Sequence, residues 1–240
     1  MKTSSPSNLP ELVLPTFQHT YPPEILDNIY NEFHPYQKAY KSLINFVELS
    51  TSSRPPSHSH LHMAQVAKIS TLLYQHLYPQ DIALNTPLSL MVTLAAYLHD
   101  VADHKYDTPD KIVSDYLTEE WANITKQIID NGYVLGDWTI EKLMDIVKIV
   151  SFSKEKKWRL LKLGLITDNA DPKWQSLEID PSTLTQEQRD TFSKYGDELG
   201  QEGQIVRNIV SDADKIEAIG IRGVERCWQY SEELWEKKIH

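Results

Sequence analysis

An apolar run from Leu88 to Leu98, L-S-L-M-V-T-L-A-A-Y-L, ends abruptly in the doublet His99-Asp100. Its apolar residues lie all round the helical wheel, the pattern of a helix buried on every side. A buried imidazole and carboxylate need hydrogen bonds, an ion partner or a metal. Taken alone, the doublet has a plain explanation: a His near the negative end of the helix dipole and an Asp capping the next turn. Imidazole with carboxylate is also a donor set for a first-row divalent ion such as Mn, Fe or Zn. The next residues, V-A-D-H-K-Y, add Asp103, His104 and Lys105 to the same short stretch.

The other segments read as helices. Tyr40, Leu43, Ile44 and Val47 fall at i, i+3, i+4 and i+7. Ile25 to Phe33 have similar spacing, and Pro35 separates the two stretches. Three histidines at alternate positions, His58, His60 and His62, close a Ser/Pro loop; they read equally as polar loop residues or as metal donors. His62 opens a helix with Val66, Ile69, Leu73 and Leu77 on its apolar face and points along that face. Thr108-Pro109-Asp110 reads as a helix start with Pro at the first helical position. Asn131-Gly132 is a turn signal, and Asp137 is a candidate cap for the helix of Ile140, Leu143, Met144, Val147 and Val150. Residues 155–203 are the least regular part, an excursion of loops and short helices placed as a lid or an interaction surface. From Gln204 a helix path runs through Ile205, Ile209, Ile216, Ile219 and Val224. Into it are set Asp212 and Asp214, then Lys215 and Glu217, and of the two aspartates the wheel favours Asp214 as the inward one.

No strand-type alternation and no repeat is present, so the expectation is an all-α fold. The division is an irregular N-terminal arm, 1–22, and a single helical domain, 23–240, with 155–203 as an insertion. With 240 residues, 40% of them hydrophobic, the chain has ample material for one core. Its 34 acids against 24 bases give a net charge of -10, which opposes binding to a nucleic acid polymer or an acidic membrane. It leaves room for a small anion held by a few local cations. One cysteine, Cys227, excludes an internal disulfide, and neither a signal-peptide core nor a membrane-length apolar run is seen. The expectation is a cytoplasmic protein; self-association as a homodimer is left open.

In chain order the candidates are His62, His99-Asp100 and Asp214. This H…HD…D order resembles the HD-domain metal-dependent phosphohydrolases. The blocks H-M-A-Q-V, A-A-Y-L-H-D-V-A-D-H-K-Y, I-V-S-F-S-K and N-I-V-S-D-A-D-K-I-E-A-I-G are similar to those of one branch, small stand-alone proteins akin to bacterial nucleotide pyrophosphohydrolases. The likeness spans about residues 36–232. It differs at His58-Ser59, where the branch has His-Asp, at Gln65, where it has Arg, and in the longer 155–203 stretch.

The resemblance implies an HD-type helical bundle in which His62, His99, Asp100 and Asp214 hold a divalent transition metal, Mn foremost, with Fe, Co, Ni, Zn or Mg as alternatives. The implied reaction is hydrolysis of a nucleotide or related phosphorylated metabolite by metal-activated water, as a nucleoside triphosphate pyrophosphohydrolase or a nucleotidase. Asp103 would orient or deprotonate the attacking water. Lys105, Lys154 and Lys215, each attached to a motif block, are the phosphate-binding candidates, Lys105 with a catalytic role as well. The alternative is a regulatory HD protein that binds a nucleotide with little turnover.

Overall fold

The computed structural model describes residues 33–55, 58–81, 83–102 and 108–219, together with Gly223, Val224 and Cys227. The arm 1–22, the stretch 23–32, and both Asp103 and Lys105 lie outside the described residues. Within them the chain is all-α, with eight α-helices and no strand. In order these are α1 (Gln37–Ser50), α2 (His60–Leu77), α3 (Pro87–Leu98), α4 (Lys111–Asp130), α5 (Ile140–Ile149), α6 (Phe152–Lys162), α7 (Gln186–Phe192) and α8 (Gly200–Glu217). None is long and apolar enough to cross a membrane.

Helix α3 is the axis. Every residue from Ser89 to Leu98 is buried, because α1, α2, α5 and α8 all pack against it. Thr86 starts it, its side chain accepting from Ser89 N, and Pro87 takes the first turn, where a missing N–H costs nothing. The largest packing surfaces join α2, α3 and α8 in a triangle. Leu90, Met91, Leu94 and Leu98 from α3 meet Met63 from α2 in the core, all fully buried. Each such side chain contributes about 1.5–3 kcal/mol by burial.

The triangle sets the directions. The start of α2 meets the ends of α3 and α8, since His62 approaches both Asp100 and Asp214. At the opposite end, Tyr74 of α2 bonds Asp81 and Thr86 at the start of α3. Thus α2 runs against α3 and α8, and two negative helix C-termini converge where His62 sits. Arg54 answers one of them. Its buried guanidinium donates to the carbonyls of Asp100 and Val101 and, at 2.9 Å, to Thr108 Oγ1.

Four expectations are corrected. Helix α4 begins at Lys111, two residues after Pro109. Thr139 rather than Asp137 caps α5; Asp137 instead pairs with Lys142 at 2.8 Å. Helix α6 runs to Lys162, so the irregular stretch begins after it and holds three 3₁₀ turns and α7. Helix α8 starts at Gly200 and ends at Glu217, leaving Ile216, Ile219 and Val224 exposed. Its buried row is Val206, Ile209, Val210, Ala213 and Glu217.

Candidate metal centre

Ser59 caps α2 by accepting from Leu61 N, which places His62 in the first turn facing α3 and α8. His62 is 3% exposed. Its Nε2 lies 3.9 Å from Asp100 Oδ2 and 3.6 Å from Asp214 Oδ1, and its Nδ1 lies 3.4 Å from Glu217 Oε2. His99, at the end of α3, puts Nε2 3.9 Å from the same Asp214 oxygen. The two imidazoles meet edge to face with ring centres 5.2 Å apart. Donor atoms of His62, His99 and Asp100 all lie within 4.8 Å of one another, a group that could hold a metal ion.

The proton positions sharpen this. His99 Nδ1 is 2.8 Å from the Ala96 carbonyl, which only accepts, so Nδ1 carries the proton. In the neutral ring Nε2 is then a lone pair. It is buried, has no hydrogen-bond partner among the described residues, and faces a carboxylate oxygen. Likewise Glu217 favours the proton on Nδ1 of His62, which turns the Nε2 lone pair toward Asp100 and Asp214. Lone pairs opposed to carboxylates repel unless a cation stands between them. The separations of 3.6–3.9 Å are too long for hydrogen bonds. Two ligand atoms about 2.1 Å from a shared ion stand roughly 3–3.4 Å apart, so an ion would draw these gaps in by roughly 0.2–0.9 Å. His62, His99 and Asp100 thus form a donor group that could hold a divalent ion; Asp214 faces both imidazoles at 3.6 and 3.9 Å, and Glu217 stands behind His62 in the way carboxylates orient ligand histidines.

The structure separates the two acids of D-A-D. Asp214 joins the imidazoles; Asp212 is exposed and pairs with Lys215 at 3.5 Å. The lysines divide as well. Lys154 is exposed, and its Nζ donates to the Lys148 carbonyl at the end of α5, so it contacts none of the four candidate ligands. Lys215 reaches Glu155 Oε2 at 3.3 Å.

Three residues of this region were not anticipated from sequence. Glu217 lies three positions after Asp214 on the buried row of α8, a spacing that could have flagged it. Glu155 and Arg207 carried no such signal. Glu155, 4% exposed on α6, accepts from Arg207 at 2.7 Å, from Lys215 and from Arg159. Burial alone would push its carboxyl up, but Arg207, Lys215 and Arg159 outweigh that and hold it below the usual glutamate value. Consecutive side chains on a helix diverge by about 100°, so α8 presents Asp214 to the imidazoles and Lys215 to α6.

No protein-family model matches the chain, and no curated protein or solved structure matches it significantly.

Proposed function

We propose that this protein is a metal-dependent phosphohydrolase of HD type that cleaves a nucleotide or a related phosphorylated metabolite. The observation that carries the reading is the convergence, from three separate helix ends, of His62, His99 and Asp100 as a group that could hold a metal ion, with Asp214 facing both imidazoles. The motif blocks that resemble HD phosphohydrolases contain these same four residues.

A divalent ion held there, manganese in our reading, would supply a Lewis acid for phosphoryl oxygens and an acidified water as nucleophile. The chain's own residues do the rest. Two carboxylates and two neutral imidazoles would balance a 2+ charge, with the Glu217 carboxylate behind His62 as one further negative charge. Glu217 fixes the His62 ring. Asp100 and Asp214 keep about a quarter to a third of their side chains exposed, so the centre is open to solvent and to a small molecule. Lys215, next to Asp214, supplies positive charge at its margin. The protein is proposed to act in the cytoplasm on a small phosphorylated substrate.

The test is a screen of phosphorylated metabolites with Mn, Co, Ni and Mg. Turnover of a nucleotide that depends on the metal and is lost in Asp100→Ala is the expected result. Tight nucleotide binding with no turnover under any metal would instead make the protein a regulatory module.

A further inference from the structure

One residue beyond Asp214, the charge balance reverses. A cavity of about 420 Å³ opens between α6, α8 and the 163–199 stretch, within the size range of small-molecule sites. Lys156, Arg159 and Lys215 line it, with Glu155 and Glu178 as its acids and Phe152 and Ile179 as its apolar walls. Behind Glu155 stands Arg207, 6% exposed, its guanidinium 4.5 Å from the centre of the Tyr195 ring.

Glu155 is a single carboxylate facing three cations, Arg159, Arg207 and Lys215. Asp212 also faces Lys215, at 3.5 Å, and Glu178 lines the same cavity, so the four cations Lys156, Arg159, Arg207 and Lys215 meet three carboxylates. The unspent capacity is visible in the donors: Arg159 Nε and Arg207 Nε are buried with no hydrogen-bond partner among the described residues. Lys156 makes no ion pair among the described residues either; its ammonium stands 5.7 Å from the Trp174 ring centre. In a chain of net charge -10, a cleft with surplus positive charge is the exception. Phe152, 57% exposed beside those cations, offers an aromatic face that no solvent-seeking role explains.

We propose that this cavity is an anion subsite, taking a phosphate of a small molecule on Lys156, Arg159 and Lys215 while an apolar or aromatic part of that molecule rests against Phe152 and Ile179. As part of the hydrolytic reaction it rests on the phosphohydrolase reading; as a binding site it stands alone. Lys215 is the link, since it lines the cavity and adjoins Asp214. The irregular segment then has a use: it contributes Glu178 and Ile179 to the cavity lining beside α6 and α8.

Calorimetry on the full chain tests this with inorganic pyrophosphate and with adenosine 5′-diphosphate, in chelator so that no metal contributes. Wild type binds both. Lys156→Glu, at a residue without an ion pair to lose, weakens both by tenfold or more, and Ile179→Trp, which fills the cavity, does the same. Phe152→Ala weakens the nucleotide several-fold more than pyrophosphate. Manganese uptake, measured separately, stays at the wild-type level in all three. Wild type binding neither probe, or Lys156→Glu and Ile179→Trp both keeping affinity within twofold, overturns the subsite. Should the wild-type chain bind both probes yet take up no metal and hydrolyse nothing, the subsite stands and the phosphohydrolase reading falls.

Discussion

The two charged clusters on α8 are built with opposite imbalances. Around His62 and His99 stand three carboxylates, Asp100, Asp214 and Glu217, against two imidazoles. Around Glu155 stand three cations, Arg159, Arg207 and Lys215, of which Lys215 also faces Asp212 at 3.5 Å. In the function proposed above, the first cluster takes a divalent cation and the second an anion. A metal-dependent enzyme for phosphorylated substrates needs both sites side by side, and the 100° step from Asp214 to Lys215 puts them on adjacent faces of one helix. The clusters also differ in rigidity. Glu155 is held by short bonds such as the 2.7 Å contact from Arg207, while the His62 separations of 3.4–3.9 Å leave room for an ion to draw the groups together.

The contrast breaks most sharply at the paired acids of α8. Asp214→Asn should abolish metal uptake and turnover, and Asp212→Asn should keep a measurable share of both. Equal loss from the two would mean a coupled network or a second ion in place of one centre.

Glu155→Gln comes next. Removing the one carboxylate leaves Arg207 buried without its partner, and breaking a buried pair this way costs about 3–5 kcal/mol, read as a lower urea midpoint. The same cluster sets a pH dependence. The folded Glu155 value is depressed, so its stabilisation is complete above the ordinary glutamate range and is lost as pH falls through the lower folded value. A urea midpoint that is flat from neutral pH down through that window would mean the cluster contributes nothing to stability.

The lysines should separate in turnover. Lys215→Met is expected to lower kcat/KM by roughly 10²–10³ with metal content unchanged, because a cation cannot be a ligand. Lys154→Met should change it by no more than about twofold, since its ammonium is spent on the α5 carbonyl. Smaller again is Glu217→Ala, expected to weaken metal affinity by about 10–100-fold by freeing the His62 ring, with Glu217→Gln restoring part of it.

Much of the metal side was legible in the chain. The encircling apolar run forced α3 into the centre, and its end carries His99 and Asp100 to the junction with α2 and α8. Helical phase turned His62 and Asp214 inward. The cationic side was not legible, because its pairs join residues far apart in sequence. Glu155 meets Arg207 across 52 positions, and nothing local in S-K-E-K or I-V-R-N marks either as buried. Arg54 was hidden in the same way inside a Ser/Pro loop, where its bonds to the Asp100 and Val101 carbonyls, just past α3, join residues more than 40 positions apart. Lys154 shows the converse: attachment to a motif block says nothing about where a long side chain goes. The acid pattern of α8 reached further than its apolar one. Ile216 and Ile219 suggested a longer buried helix, but both are exposed, while Glu217 is buried and Asp214 faces the imidazoles.

Everything proposed for the metal side depends on one divalent ion sitting among His62, His99, Asp100 and Asp214. Crystals of the wild-type chain soaked in manganese, with data collected near the manganese edge, put that ion to the test. One strong anomalous peak per chain is expected, bounded by those four side chains and absent from crystals of His99→Ala or Asp100→Ala soaked in the same way. No peak at that position in the wild type, or a peak that persists at full height in both variants, would contradict the assignment.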